Sequence, residues 1–386
     1  MMLRYITNSR ISEYLPVLSD FTDEEAEKVN SVHSLIEGFS PTPLRSLENM
    51  AADLGVRKIF VKDESFRLGL NAFKVLGAGY AAVKYFSEKY NIPTEELTME
   101  NIRKISSDKD ITLITATDGN HGRAVAYIAR ILGMKSIIYM PKGSSKERYD
   151  LIESEGADVT VTDVNYDGAV LLAKKKAEEN GYVFIQDTAM EGYTDIPLYI
   201  MQGYMNILRE TAIQMGEEVP THVFLQAGVG SFAGSMLAYM VNHYENYPRT
   251  VILEPKNANC VYMSKANGRP YEVTGDLETI MAGLSCGVAS TIALEVLMNY
   301  ADMFVSLDDK FARVGMNKLY HAKDPDPVII SGESGAVGMG FLYEVMTKEE
   351  YSTVKDILGL DKNSVVLIIS TEGDTDKASF KSIVRI

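Results

Sequence analysis

Short runs rich in β-branched and apolar residues alternate with longer helical stretches through most of the chain. The runs are "KIFVKD", "ITLITATDG", "SIIYMPKG", "DVTVTD", "YVFIQD", "HVFLQAG", "RTVILEP" and "SVVLIIST". A strand followed by a helix cannot turn straight back on itself, so successive strands lie parallel and the crossover helices cover the sheet. Covering on both faces explains why the runs are apolar throughout rather than on every second residue. The alternation predicts an α/β fold of mostly parallel sheets.

Length then divides it. A chain of 386 residues exceeds what one simple core serves, so two three-layer domains are expected. The compact strand set near residues 111–162 predicts a smaller mobile domain over 75–180, inside a larger one built from 1–74 and 181–386. The polar stretch "NIPTEELTMENIRKISSDKD" reads as a surface insertion with nothing catalytic in it.

A formal net charge of −15 disfavours nucleic acid and anionic membrane as partners, since basic residues form no run. The N-terminus lacks the apolar core of a signal peptide, and no stretch has the ~18 consecutive apolar residues of a membrane span. The expected location is the cytoplasm. Cys260 and Cys286 sit in no metal-ligand spacing, which leaves no metal site and two thiols expected to be free in a reducing compartment.

In sheets of this kind ligands bind beyond the carboxyl ends of the strands, where glycine-rich turns feed helix N-termini. Three places qualify: "ATDGNHG", "QAGVGSFAG" and "STEGDTD". The N–H groups of Gly228, Val229, Gly230 and Ser231 can converge on an anion. Gly234 falls one residue early for a dinucleotide fingerprint, so a single phosphate suits the loop better. A plain strand-to-helix turn would use the same residues. "ATDGNHG" offers Asp118 as an acid or base and Asn120 as donor and acceptor, or else an Asx turn that caps the next helix. His121 there is assigned no role.

Lys74 in "GLNAFKVLGAGY" opens a helical pattern in which Phe73, Leu76, Tyr80 and Val83 share its face. A lysine on a core-facing surface either snorkels to solvent or is neutralised chemically, for example as a Schiff base with a carbonyl cofactor. Taken with a one-phosphate cradle and small polar loops, the second choice describes a pyridoxal 5'-phosphate site.

At this point the sequence resembles the tryptophan-synthase-like, or fold type II, family of pyridoxal-phosphate enzymes. The likeness runs nearly end to end, through "PTPL", "VKDESFRLGLNAFK", "TDGNHGR", "YMPKGS", "QDTAMEGYTDIP", "IMQGY", "QAGVGSFAG", "IMAGLSCG", "ISGESGAVG" and "ISTEGDTD". "QDTAMEGYTDIP" and "STEGDTD" resemble enzymes that act on 2,3-diaminopropionate. They separate the chain from the alternative within the fold, a serine or threonine dehydratase.

The resemblance implies roles residue by residue. Lys74 is the Schiff-base lysine, Asn120 hydrogen-bonds the cofactor's ring hydroxyl, and Gly228 to Ser231, as far as Gly234, hold its phosphate. Ser370 with Thr371 faces the pyridine nitrogen. The implied reaction is α,β-elimination to pyruvate and two ammonia, with Asp118 and Asp187 as bases for the D and L substrate. Thr117 to Asn120 would bind the substrate carboxylate, with Asp187, Tyr193 or Glu333 for its distal amine. Met190 and Phe232 depart from the family pattern and are expected to alter the pocket wall. A homodimer is the implied assembly.

Overall fold

Two separate sheets carry the fold. The computed structural model describes residues 3–117 and 119–385, so Asp118 lies outside the described residues. The larger sheet runs β1 (Leu3–Thr7), β10 (Met303–Leu307), β9 (Arg249–Pro255), β8 (His222–Gln226), β11 (Val365–Ser370), β3 (Lys58–Asp63) and β2 (Leu44–Ser46). The smaller runs β6 (Asp158–Val161), β5 (Lys135–Met140), β4 (Thr112–Ala116) and β7 (Val183–Phe184). Among the described residues only the edge pairs β1 with β10 and β2 with β3 are antiparallel strand pairs; the other strand pairs are parallel.

Each of the eight runs forms a strand. The smaller sheet gains a fourth member in β7, which falls past residue 180. Residues of β8 and β11 are buried along their whole length, as expected of strands covered on both faces. The stretch 91–110 is more than a loop. Its helix Met99–Lys109 starts with a reciprocal Thr98/Asn101 capping box, and Leu97 and Ile102 are buried in the main core.

β11 is the last strand in sequence but inserts between β8 and β3. Sheet order reverses there, and a crevice opens at the carboxyl ends of these strands. The loops after β3, β8 and β11 meet in it.

Two helices bring Lys74 to this crevice. Val75–Tyr90 begins directly after the lysine and packs against Asp195–Met215. The contact requires glycine on both sides. A Cβ on Gly203 would lie 2.5 Å from Leu76 O, and one on Gly77 would lie 2.6 Å from the Tyr204 ring.

The segment leading into Lys74 is anchored by four fully buried charges. Lys62 Nζ reaches Glu210 Oε2 at 2.7 Å, while Arg67 reaches Glu64 and Glu210 at 2.8 Å each. Thr42 of "PTPL" joins through its hydroxyl to Glu64 at 2.6 Å and its N–H to Glu210 at 3.2 Å. Two positive and two negative charges balance, which is what makes their burial tolerable. Beyond this anchor the chain makes left-handed turns at Leu68, Gly69 and Asn71 before it arrives at Lys74.

Candidate active site

The crevice holds a cavity of about 330 Å³ whose walls come from both sheets. Lys74, Thr117, Asn120 and His121 line it together with Asp187, the loop from Ala227 to Phe232, Thr371 and Glu372.

Lys74 Nζ sits 2.5 Å from Asp187 Oδ2. The two side chains are 19% and 5% exposed, so neither charge is well solvated. Burial pulls the Lys74 pKa down, but the Asp187 carboxylate, together with Tyr204 and Cys286, outweighs it and the net shift is upward. Asp187 mirrors this: burial raises its pKa, and Lys74, helped by His121, drives it below the ordinary value. Here, then, Lys74 is an ammonium held by a carboxylate. The snorkelling alternative fails, because its head group points into the cavity.

Lys74 is also fixed through its backbone. Phe73 N donates to Thr371 O at 3.1 Å and Gly373 N to Asn71 O at 3.0 Å, forming a small antiparallel bridge between Ala72 and Glu372. The segment before the lysine and the loop after β11 are therefore joined through their backbones.

The turn after β8 has Gly230 at φ 92° and opens the helix Ser231–His243. The first N–H groups of a helix have no partner within it, and here they border the cavity. A Cβ on Gly228 would lie 3.1 Å from both Gly283 O and Leu284 Cα, which keeps bulk out of the loop. Ser231 Oγ donates to Asp187 O, joining the anion cradle to the lysine's partner. Behind the loop, Cys260 Sγ contacts Gly228 O at 3.4 Å. The start of that cysteine's helix is held by Glu254, which accepts Val261 N at 2.8 Å and Tyr262 N at 2.6 Å. Burial pushes the Glu254 carboxyl up to about 8 against those two donors. Gly234 stands apart from the cavity, where a Cβ would come 3.0 Å from Ala293 Cα; its smallness serves helix packing.

Thr117 Oγ1 accepts Gly119 N at 2.9 Å and Gly122 N at 3.0 Å, shaping the loop after β4. Asn120 Nδ2 donates to Glu372 Oε2 at 2.5 Å, and Glu372 Oε1 accepts Ser334 N at 3.2 Å. Glu372 thus ties the smaller sheet's loop to the larger sheet. Burial, and then the neighbouring Glu333, raise its pKa. Sequence reasoning overlooked Glu372, although it stands inside "STEGDTD".

Other expected residues lie elsewhere. Tyr193 does not line the cavity: its hydroxyl donates to Phe184 O at 2.7 Å and accepts Gln186 N at 3.0 Å. Glu333 is also off the cavity, with Oε1 accepting Ser379 Oγ at 2.5 Å. Ser370 is fully buried and donates to Ser331 Oγ at 2.7 Å, so Thr371 is the member of that pair on the wall. Met190 is absent from the lining, whereas Phe232 is on it, packed edge-on against Phe73 at 5.0 Å between ring centres. Cys260 and Cys286 are both buried and form no disulfide.

Does this site suit a phosphorylated aldehyde? Gln226 Oε1 and Ser334 Oγ are buried without a hydrogen-bond partner, and both residues line the cavity. Orphaned polar atoms of this kind call for a ligand. With one amine able to form an imine and a glycine cradle able to take one phosphate, the residues fit pyridoxal phosphate. Among the described residues no group of three or more His, Cys, Asp or Glu could hold a metal ion, and no helix is long and apolar enough to cross a membrane.

Fold and site together define a pyridoxal-phosphate enzyme of fold type II, and the chain belongs to the pyridoxal-phosphate dependent enzyme family, whose model matches residues 35–358. Diaminopropionate ammonia-lyase of Escherichia coli is 46% identical over 367 residues, covering 94% of this chain and 92% of that one. Two solved structures of the Escherichia coli enzyme are also similar. The holo form has a TM-score of 0.93 at 44% identity, over 99% of this chain and 96% of that chain. The complex with an aminoacrylate-PLP azomethine reaction intermediate has a TM-score of 0.91 at 43% identity, over the same shares of 99% and 96%. Within its family the chain groups with the diaminopropionate ammonia-lyases.

Proposed function

We propose that the chain converts 2,3-diaminopropionate and water to pyruvate and two ammonia by α,β-elimination. The observation that carries this reading is the buried pair of Lys74 and Asp187, 2.5 Å apart beside the glycine cradle. Pyridoxal phosphate, when bound, supplies an aldehyde that condenses with amines and a ring that draws electrons from the substrate's α-carbon.

Lys74 would carry the cofactor as an imine, Asn120 would meet its ring hydroxyl, and the N–H groups of Gly228 to Ser231 would take its phosphate. Thr371, beside the buried Ser370, would offer a hydroxyl to the pyridine nitrogen. A hydroxyl, unlike a carboxylate, does not hold a proton on that nitrogen, so rapid loss of a β-leaving group suits the site better than racemisation. The loop from Thr117 to Asn120 would receive the substrate carboxylate.

Asp187 is the base for the α-proton of the L isomer. Its depressed pKa depends on Lys74 as an ammonium. Once the lysine nitrogen is engaged elsewhere, burial remains, and the pKa rises toward the range where a carboxylate removes protons well. Asp118, outside the described residues, is the counterpart for the D isomer. The working unit is a cytoplasmic homodimer.

Pyruvate release from D- and L-2,3-diaminopropionate, measured beside serine and threonine, tests the substrate. A strong preference for serine would instead favour a dehydratase. Asp118→Asn and Asp187→Asn, each assayed with both isomers, test the bases: unequal losses are expected, and equal losses with both isomers would remove the division of labour.

A further inference from the structure

A hydroxyl is an ambiguous neighbour for a pyridine nitrogen. It can donate to the bare lone pair, or turn round and accept from a ring that is protonated, and only the first works against the proton. Around Thr371 the structure removes the ambiguity. Gln226 closes β8 beside β11, and its side chain is buried. Its Nε2 donates to Ile369 O at 3.0 Å and to Thr371 Oγ1 at 2.8 Å. A backbone carbonyl only accepts, so the first bond fixes which end of the amide is the nitrogen. Both amide hydrogens are then committed, and Oε1 is the end left without a partner.

A methionine would fill the same space without an orphaned oxygen, so the amide is a burden unless its nitrogen has a task. What that nitrogen does is aim a donor at Thr371 Oγ1. Thr371 is also held through its backbone, where its O accepts Phe73 N at 3.1 Å. Because Oγ1 already receives a hydrogen from Gln226, the hydroxyl's own hydrogen must point elsewhere. Among the described residues it has no acceptor, and Thr371 lines the cavity.

We propose that Gln226 is a positioning residue for Thr371, presenting the threonine's hydrogen rather than its lone pair to the cofactor's ring nitrogen and so keeping that nitrogen free of a proton. A hydrogen bond made to the neutral form disfavours the charged one. A ring without the extra charge draws electrons less strongly, so the α-carbon stays electron-rich only briefly. It then loses its β-amino group before it regains a proton, which favours elimination over racemisation. The inference rests on the assignment of Thr371 to the ring nitrogen.

The test loads the full-length chain with pyridoxal phosphate isotope-labelled at the ring nitrogen and reads that atom by nitrogen NMR, in which protonated and bare pyridines are well separated. Wild type is expected to show an unprotonated nitrogen that accepts a hydrogen bond. In Gln226→Glu the acid, protonated in this buried slot, donates to Ile369 O and accepts from Thr371, which turns the hydroxyl round. The ring signal is then expected to move toward the protonated position. Exchange of the substrate's α-hydrogen with solvent deuterium, counted per pyruvate formed, is expected to rise by about tenfold, as for reversal of one hydrogen bond. Gln226→Met keeps the volume and removes both donors, and it serves if the acid variant does not fold or load; the hydroxyl is freed to turn, and the signal is expected to leave the wild-type position. Thr371→Val supplies the reference for loss of the hydroxyl. A protonated nitrogen in wild type overturns the inference, as does a wild-type signal in either Gln226 variant when Thr371→Val has moved it. A signal that Thr371→Val leaves in place overturns the assignment of Thr371 itself, and the inference with it.

Discussion

Glu210→Ala removes one carboxylate from the four-charge cluster that anchors the segment before Lys74. Glu210 accepts Lys62 Nζ at 2.7 Å, Arg67 Nη1 and Nη2 at 2.9 and 2.8 Å, Thr42 N at 3.2 Å and Asn206 Nδ2 at 2.9 Å. Without it Lys62 and Arg67 share Glu64 alone, leaving an excess positive charge with both cations fully shielded from water. Breaking a buried pair in this way costs about 3–5 kcal/mol, a large fraction of the roughly 5–15 kcal/mol that holds a domain folded. The thermal midpoint should fall by roughly 10 °C. Lys62→Met with Glu210→Leu removes one charge of each sign and leaves Arg67 paired with Glu64, so most of the loss should be recovered. Unfolding followed by circular dichroism, with denaturant and with heat, compares the single variant and the double variant. The reasoning is refuted if Glu210→Ala is as stable as wild type, or if the double variant is no more stable than the single.

Three further outcomes are expected. Gly228→Ala puts a methyl 3.1 Å from Gly283 O and Leu284 Cα, and titration with pyridoxal phosphate should show affinity reduced by about tenfold or more, as overpacking costs roughly 1–3 kcal/mol. Glu372→Ala frees Asn120 Nδ2 and Ser334 N, two hydrogen bonds to a charged group, and should weaken cofactor retention by at least about tenfold, read as visible absorbance surviving gel filtration. Glu254 has its pKa raised from 4.5 to about 8, so it holds its proton in the folded chain after the unfolded chain has lost it. Wild-type stability should therefore decline as pH rises through that interval. In Glu254→Gln that decline should be smaller, as checked by denaturant unfolding at the two ends of the interval.

Much of this was legible in the sequence, for identifiable reasons. Runs such as "VVLII" and "HVFL" announce buried parallel strands because both faces of the sheet are covered. The loops at their carboxyl ends are readable from glycine spacing, and Lys74 stands out through its apolar neighbours. β1, β2 and β10 were not visible. β2 has only three residues, β1 is half exposed at an edge, and "MFVSL" follows a helix of similar composition. Insertion of β11 between β8 and β3 is a long-range choice that no local pattern encodes. The same limit applies to the site. Glu372, Gln226 and Ser334 gain their meaning from partners distant in sequence, whereas Tyr193 and Glu333 matched a motif but bond to Phe184 and Ser379 away from the cavity.

The bond from Asn120 to Glu372 joins the loop of one sheet to the loop of the other, and the carboxylate it satisfies is largely buried. Parting the two walls strips that carboxylate of its amide, and a water molecule must enter to take its place. Hydration of one acid side chain and separation of the walls are therefore a single event. Bulk solvent, by supplying that molecule, acts as a reactant in opening the enzyme, so osmolytes that lower water activity should slow product escape while leaving bond cleavage alone.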